Sequence, residues 1–221
     1  NSGAMQRRLT LIALAVAAAF TASGGLTACR RAAKPGATAL APGATVLAIG
    51  DSITYGTGAP DGASYPAELA RLTGWQVVNA GVPGETAAQV LARMPALLAE
   101  HQPALVILGA GGNDFLRRLP EADVEASLRR AIGLARNAGS QVVLVGVPRP
   151  TVAARLGAAL EDHPLYERLA SEMGIALHGG GWARVLGDAS LRSDDIHANA
   201  AGYRAFAEGL AARLREAGLW R

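Results

Sequence analysis

The segment TVLAIGDSIT, residues 45–54, decides the fold class of this 221-residue chain. Its first part, Thr45–Ile49, is short and apolar on both faces, and the turn residues Gly50 and Asp51 follow at once. Such a run is typical of a buried parallel strand, because a strand with one face in water alternates between apolar and polar residues. Ser52 comes next, so we expect a hydroxyl at the carboxyl end of the first strand.

Further runs of the same character recur along the chain, each bounded by turn residues. They are Gln76–Asn79, Ala104–Leu108, Gln141–Val145 and, more weakly, Ile175–Leu177. Helical patterns lie between them. They run from a cap at Ser64 to Leu72, over Thr86–Glu100 with a break at Pro95, over Glu121–Asn137, over Leu165–Met173, and from a cap at Asn199 onward. This alternation predicts an α/β domain over residues 45–221, with a parallel sheet covered on both faces.

The first 44 residues predict an export signal and a tether. Residues 1–4 precede Met5 and are typical of a cloning remnant. Residues 5–28 have the basic start and short apolar run of a signal peptide, and that run is too short to span a bilayer. The stretch LTAC, residues 26–29, resembles a bacterial lipobox, although a plain secretory signal with an incidental Cys29 is the alternative. Residues 29–44 are predicted to be a flexible linker that carries this cysteine.

The lipobox resemblance implies an exported protein that is lipid-anchored in the periplasm through Cys29. Arg30 follows the cysteine, where inner-membrane retention typically uses aspartate, so the outer membrane is favoured. We expect the protein to touch the membrane only through this anchor.

Charge and cysteine content exclude several classes of protein. The net charge of +3 comes from five cationic residues before Thr45, because residues 45–221 hold 16 arginines against 18 acidic residues, a formal charge of −2. A nucleic-acid-binding domain carries its positive charge on the fold itself, so no nucleic-acid partner is expected. A single cysteine excludes an intrachain disulfide and a cysteine-based metal site.

Four polar, glycine-rich segments are predicted to meet at one edge of the sheet. They are Gly50–Thr54, Asn79–Thr86, Gly109–Asp114 and Asp194–His197. Ligands of open parallel sheets bind beyond the carboxyl ends of the strands, where these segments fall. Together they offer a hydroxyl, an imidazole with an acid three residues upstream, glycine amides and a carboxamide. This is the set of groups that acyl transfer requires.

In this order, the four segments resemble the blocks of the SGNH (GDSL) hydrolase superfamily, and most of all its bacterial periplasmic thioesterase I, lysophospholipase and arylesterase group. LARMPALL at residues 91–98 and HQP at residues 101–103 also resemble that group. The resemblance implies a flavodoxin-like, three-layer α/β/α sandwich with five parallel strands. It further implies hydrolysis of carboxylic esters or thioesters of short to medium acyl chains, from small-molecule or lipid substrates, with no cofactor and no metal.

Residue by residue, the resemblance makes Ser52 the nucleophile, His197 the general base and Asp194 the acid that orients the imidazole. Asp195 is a local rival to Asp194, because it stands where the family usually has glycine. The implied oxyanion hole consists of the Ser52 backbone N–H, the Gly84 N–H and the Asn113 carboxamide. Gly81 is the alternative to Gly84. Asp51 and Asp114 are expected to bond nearby loop amides.

The remaining candidates concern the substrate. Tyr55, Phe115 and Leu116 are expected to line an acyl groove, and Arg149 to attract an anionic head group. His101 is expected to lie on the surface, and His178 to be a structural residue whose ring nitrogens are hydrogen-bonded. His163 is expected to be either structural or in contact with substrate.

Three alternatives to this esterase remain open. One is an O-acetylesterase of a cell-envelope polysaccharide. The second is a metal-dependent phosphoesterase, and the third is a non-catalytic binding lipoprotein. The phosphoesterase would use Asp51, Asn113, Asp114, Asp194 and His197.

Overall fold

Five parallel strands form the centre of the molecule. In a computed structural model, which describes residues 37–149 and 159–221, they are β1 Thr45–Gly50, β2 Gln76–Gly81, β3 Leu105–Gly109, β4 Gln141–Val145 and β5 Ala176–His178. Their order across the sheet is β2-β1-β3-β4-β5, and every neighbouring pair is parallel. The predicted five-stranded α/β fold is confirmed, and the strand ends differ from the predicted ones by at most two residues.

Eight helices lie in the described ranges. They are α1 Ser52–Tyr55, α2 Tyr65–Thr73, α3 Ala87–His101, α4 Gly112–Leu116, α5 Glu121–Asn137, α6 Pro164–Met173, α7 Gly181–Gly187 and α8 Ala200–Glu216. The sequence predicted the five longer ones. The three short ones escaped prediction, because a helix of one or two turns is too brief to show a 3.6-residue period.

The layers follow from the two faces of the strands. In β1, Leu47 and Ile49 point into one core, and Val46 and Ala48 point into the other. Residues of α3, α5 and α6 complete the first core, and residues of α2, α7 and α8 complete the second. The sheet is therefore buried on both faces, which explains why its strands read as continuous apolar runs.

Helix α3 contradicts the expected break at Pro95, because it runs without interruption from Ala87 to His101. Met94 and Leu98 are buried in the core, whereas Pro95 is exposed. The proline ring is therefore accommodated on the exposed face, and packing on the opposite side of the helix outweighs the lost hydrogen bond.

Two predicted caps have different outcomes. Asn199 caps α8, since its side chain accepts a hydrogen bond from the Gly202 N–H. Ser64 occupies the cap position of α2, but its side chain makes no capping bond. Its hydroxyl instead lies 3.3 Å from the carboxamide nitrogen of Asn79. The Ser64 hydroxyl therefore contacts a residue of β2 and does not cap the helix that follows it.

Residues 37–44 lie against the amino end of the sheet. Thr38 exchanges two hydrogen bonds with the Gln141 side chain, at 2.9 and 2.7 Å, and the Leu40 N–H donates to the Leu219 carbonyl. The predicted signal peptide and Cys29 lie outside the described residues. Within the described ranges, no helix is long and apolar enough to cross a membrane.

Candidate active site

Three glycines bring the loops after β1, β2 and β3 together. Gly50 ends β1 and pairs in register with Gly81 of β2 and Gly109 of β3. A Cβ atom at Gly50 would overlap the Gly109 carbonyl, and one at Gly81 would overlap the backbone of Tyr55. Only glycine permits this approach, so the three strands can deliver their following residues to one small area.

Ser52 is the first residue of α1, immediately beyond β1. The preceding Asp51 caps this short helix by accepting a hydrogen bond from the Ile53 N–H at 3.1 Å. The Ser52 hydroxyl lies 3.0 Å from Nε2 of His197, a residue 145 positions further along the chain. The predicted hydroxyl and imidazole are therefore in hydrogen-bond contact.

Asp194 orients the His197 ring from the other side. One carboxylate oxygen accepts the N–H groups of Ile196 and His197, each at 2.8 Å, and the other lies 2.8 Å from Nδ1 of the ring. Partial burial opposes ionisation, but the hydrogen bonds from the ring and the two N–H groups prevail and lower the pKa of Asp194. Asp195 is exposed and has no such contact among the described residues, so the structure places Asp194 rather than Asp195 beside the imidazole.

The predicted backbone donors can be compared by what they already bind. Among the described residues, the N–H groups of Ser52 and Gly84 have no hydrogen-bond partner. The Gly81 N–H, in contrast, donates to the Asn79 side chain at 3.0 Å. Gly84 also has a φ of +81°, which an L side chain rarely adopts. The geometry therefore favours Gly84 over Gly81 as a donor to an incoming oxygen.

The Asn113 carboxamide lies beside the same loop. Its nitrogen donates to the Glu85 carbonyl at 2.9 Å and approaches a carboxylate oxygen of Asp51 at 3.4 Å. The longer contact is at the outer limit of a hydrogen bond. An oxyanion could therefore compete for that second N–H, whereas the Glu85 contact keeps the carboxamide in place.

Two arginines hold the loop that carries Gly84. Arg93 of α3 binds the Glu85 carboxylate, with its shortest contact at 2.6 Å, and donates to the Ala80 carbonyl at 3.0 Å. Arg117 donates to the Gly84 carbonyl at 2.8 Å. The sequence assigned no role to Glu85 or Arg93 individually and did not predict the contact between Arg117 and Gly84, because no periodicity links residues in separate elements.

Two buried carboxyl groups lie behind this surface. Burial raises the pKa of Asp51 from 3.8 to about 6, and it also raises the pKa of Asp114. Asp114 accepts the Ala87 N–H at 2.9 Å, which ties the loop after β3 to the start of α3. Both residues accept backbone N–H groups, as expected, but these belong to the first turns of α1 and α3 and not to loops. The carboxylates of the metal-site alternative thus each have a separate protein partner, and no cluster of three potential ligands occurs in the described part of the chain.

Among the described residues, no histidine other than His197 is hydrogen-bonded to Ser52. His163 caps α6 by accepting the Leu165 N–H at 3.3 Å, its ring stacks on Phe115 with centroids 4.5 Å apart, and burial lowers its pKa. His101 ends α3 and lies 3.8 Å from Glu100.

His178 contradicts the expectation of a satisfied histidine. It is buried, its ring packs edge-on against Phe206, and its Nε2 has no hydrogen-bond partner in the part of the chain that the structure describes. Burial, with help from Arg184 and Arg213, lowers its pKa to about 4 and keeps it neutral. A neutral ring costs less to bury than a charged one, so the packing gain from the aromatic contact can offset the unpaired nitrogen.

The predicted substrate residues are placed in different ways. Tyr55 and Leu116 are strongly exposed, at 56% and 46%. Phe115 is half-buried in its stack with His163, and Arg149 lies 4.0 Å from Glu161. Residues 150–158, which follow Arg149, lie outside the described residues.

Comparison with known proteins identifies the family. A model of the GDSL-like Lipase/Acylhydrolase family matches residues 48–205. Esterase TesA of Pseudomonas aeruginosa is 39% identical over 107 residues, which span 46% of this chain and about half (53%) of that esterase. Thioesterase 1/protease 1/lysophospholipase L1 of Escherichia coli K12 is 33% identical over 174 residues, which span 76% of this chain and 81% of that enzyme.

A solved structure agrees with these matches. The crystal structure of TesA superposes with a TM-score of 0.70 at 30% identity, and the match covers 78% of this chain and 99% of that one. The family match extends over most of the chain and contains the residues at the carboxyl ends of the strands. This chain therefore belongs to the GDSL-like Lipase/Acylhydrolase family.

Proposed function

We propose that this protein is a serine hydrolase that cleaves carboxylic esters and thioesters of short to medium acyl chains through an acyl-enzyme. One observation carries the proposal: the continuous hydrogen-bonded series from Ser52 Oγ through His197 to Asp194, at 3.0 and 2.8 Å. A nucleophile, a base and an orienting acid in this relation define the catalytic triad. The relatives named esterase, thioesterase and lysophospholipase support the same reaction class.

In the first step, His197 acts as the general base. Asp194 accepts the Nδ1 proton of the neutral ring, so Nε2 carries the lone pair that faces the Ser52 hydroxyl. As Oγ bonds to the carbonyl carbon of the ester, its proton passes to Nε2. The Asp194 carboxylate stabilises the imidazolium that forms.

The tetrahedral intermediate places negative charge on the former carbonyl oxygen. The unpaired N–H groups of Ser52 and Gly84, with the second N–H of Asn113, are the proposed donors to that oxygen. They stabilise the transition state more than the substrate, because the full charge exists only after attack has begun. Arg117 and Arg93 keep the Gly84 loop in position before substrate arrives, which lowers the cost of organising these donors.

Collapse of the intermediate completes the first half of the reaction. The imidazolium gives its proton to the leaving alcohol or thiol as the bond from the carbonyl carbon breaks, and the acyl group stays on Ser52. Water then enters and gives a proton to Nε2 as its oxygen attacks the acyl carbon. A second collapse returns the proton to Ser52 and releases the carboxylic acid.

The acyl chain is proposed to lie along the exposed side chains of Tyr55 and Leu116, with the ring of Phe115 at the base of the groove. Arg149 is proposed to attract an anionic head group near its mouth. The relatives described above bear esterase and thioesterase names, so the polysaccharide O-acetylesterase alternative is not favoured.

The proposed location is the periplasmic face of the outer membrane, with a lipid on Cys29 as the membrane attachment. The support is the LTAC sequence and the basic, then apolar, residues that precede it. Metabolic labelling with a radioactive or alkyne fatty acid tests this proposal. Label incorporated by the wild type and by Cys29→Ser alike would contradict it.

Two measurements test the catalytic assignment. A fluorophosphonate should attach to Ser52, as shown by peptide mass spectrometry, and Ser52→Ala should take up none. Hydrolysis rates on a series of p-nitrophenyl esters and acyl-CoA thioesters should peak at short or medium chains. Labelling at another residue, or equal labelling of Ser52→Ala, would overturn the assignment.

A further inference from the structure

The exposed apolar side chains are unevenly distributed over the described surface. Six large ones are strongly exposed: Tyr55, Leu72, Val82, Leu116, Leu119 and Ile196. All but Leu72 follow the carboxyl ends of the strands or adjoin the catalytic histidine, within six residues of Ser52, Gly84, Asn113 or His197 in the chain. Single exposed apolar residues are ordinary, but their concentration around one site indicates a contact surface.

Residues 116–120, which we call the LRRLP loop, contribute two of these five side chains, Leu116 and Leu119. Every residue of the loop is exposed, and its two leucines flank Arg117 and Arg118. Neither arginine forms an ion pair among the described residues. The loop therefore presents two apolar and two cationic side chains and no acid.

The backbone of the LRRLP loop is held from within. The Leu119 N–H donates to the Asp114 carbonyl at 2.9 Å, and the Arg118 N–H donates to the Phe115 carbonyl at 3.1 Å. Arg118 has a φ of +57°, in the left-handed region that non-glycine residues seldom occupy. The exposed leucines are thus displayed on a closed turn, and a contact through them requires little further ordering of the backbone.

We propose that the LRRLP loop docks on the surface of aggregated anionic lipid, and so brings Ser52 to acyl esters held in that surface. A lipid surface offers anionic head groups to arginines and an apolar interior to leucines, which matches both parts of the loop. Ile196 is preceded in the chain by Asp194 and Asp195, so its surroundings are acidic and the contact centres on the LRRLP loop. The proposal rests on the ester hydrolysis proposed above for its biological role.

The anchor proposed at Cys29 makes a different prediction about orientation. The chain enters the domain at the amino edge, where Thr38 binds Gln141. Leu72, near the end of α2, lies at that same edge. An anchor alone would bring the surroundings of Leu72 toward lipid, whereas docking by the LRRLP loop brings Leu119.

Leu72 and Leu119 are a matched pair for this test, since each is 41% exposed. Leu119→Trp and Leu72→Trp would be made separately in the full chain with Ser52→Ala, so that no lipid is hydrolysed. Each protein is mixed with vesicles of phosphatidylglycerol and chain-brominated phosphatidylcholine. After subtraction of the emission of the parent, we expect the tryptophan at 119 to be quenched and blue-shifted, and the one at 72 to be unaffected.

Quenching at 72 alone, equal quenching at both positions or none at either would overturn the proposal. So would a blue shift at 119 that occurs without lipid and follows the appearance of a dimer in sedimentation, because a second copy of the chain would then cover the loop. Melting curves of both variants establish that each is folded.

Removing one charge tests the electrostatic part. Arg118→Asn suits the left-handed backbone and, in the Leu119→Trp protein, should weaken partition onto anionic vesicles about fivefold. Arg130→Asn, an exposed arginine of α5 without an ion pair in the described ranges, is the control and should have no comparable effect. Equal partition of the parent and Arg118→Asn would overturn the role of charge. All of these readings use an inactive protein, so failure of docking and failure of the hydrolase assignment are observed separately.

Discussion

The amino and carboxyl edges of the sheet are built from the same strands, but they differ in how the backbone N–H and C=O groups beyond the strands are hydrogen-bonded. At the amino edge, the N–H groups of Gln76, Ala104 and Gln141 donate to Ala44, Thr45 and Ala104 at 2.9–3.0 Å, which continues the ladder into the connections. The buried Ser140 hydroxyl closes this edge by donating to the Pro103 carbonyl at 2.7 Å. The groups described at this edge bind only each other.

The carboxyl edge leaves groups available for a ligand. Within the described residues, the N–H groups of Ser52 and Gly84 are unpaired, and burial raises the pKa of Asp51 and Asp114. Poorly solvated acids cost stability, whereas paired backbone does not, and the unpaired donors stay free to bind an incoming oxygen. The comparison shows that this fold places its buried acids and unpaired N–H groups at the edge where the reaction is proposed to occur. The amino edge, whose described backbone groups are paired, offers residues for control substitutions.

The largest effect is expected from Ser52→Ala. Loss of the nucleophile should lower kcat by a factor of about 10⁴–10⁶, with little change in thermal stability, because Ser52 is partly exposed and, among the described residues, its hydroxyl is hydrogen-bonded to His197 alone. Steady-state hydrolysis of p-nitrophenyl butyrate measures it. A kcat within tenfold of the wild type would contradict the role of this edge.

The next effect distinguishes two carboxamides. Asn113→Ala should lower kcat by about 10²–10³ with a nearly unchanged KM, because the donor acts mainly on the transition state. Gln141→Ala removes the carboxamide that binds Thr38 at the amino edge and should leave both constants unchanged. Equal losses in the two variants would show that Asn113 acts through the general fold.

The third prediction concerns pH and the buried Asp51. Its pKa rises from 3.8 in the unfolded chain to about 6 in the fold, so the native state holds more protons between these values. Its contribution to stability is therefore greatest below about pH 4 and is lost as the pH rises to about 6, by about 3 kcal/mol. Urea unfolding at a series of pH values measures this loss, and Asp51→Asn should remove most of it. An unchanged pH profile in the variant would contradict the raised pKa.

A smaller effect is expected from Arg117. Arg117→Met removes the hydrogen bond to the Gly84 carbonyl, worth about 1 kcal/mol at an exposed site, and should lower kcat about fivefold at constant KM. Arg130→Met serves as the control for loss of an exposed arginine. A change in KM without a change in kcat would indicate that Arg117 binds substrate instead of holding the loop.

The smallest effect completes the comparison at the amino edge. Ser140→Ala leaves the Pro103 carbonyl without its side-chain partner and should lower the free energy of unfolding by about 1 kcal/mol, with kcat unchanged. Chemical denaturation and the same ester assay measure the two quantities. A large loss of activity in folded Ser140→Ala would show that the edges are not independent.

Local patterns predicted most of the fold, for identifiable reasons. The strands are buried on both faces, so their apolar runs stand out, and Glu121–Asn137 was predicted with the ends that the structure has. The errors occur where tertiary contacts compete with local rules. Helix α3 continues through Pro95 because Met94 and Leu98 pack in the core. The Ser64 hydroxyl does not cap α2, because it contacts the Asn79 side chain.

The site divides in the same way. Ser52, His197 and Asp194 were predicted from the resemblance of the ordered segments to a known family, and the structure brings them together. The sequence could not predict three features of the site region. They are the ion pair between Glu85 and Arg93, the hydrogen bond from Arg117 to Gly84 and the nitrogen of His178 that has no partner among the described residues. Each depends on distances between groups of separate elements.

By itself, the sequence determined the class of fold and the edge that bears the chemistry, because strand periodicity and motif order are properties of the chain. The resemblance of its four segments to the SGNH (GDSL) family implied which groups react. Tertiary structure decided which aspartate meets the imidazole, which glycine N–H remains unpaired and how much the pKa of Asp51 rises. These depend on burial and on distances of a few ångströms between distant segments, and such quantities exist only after the chain has packed.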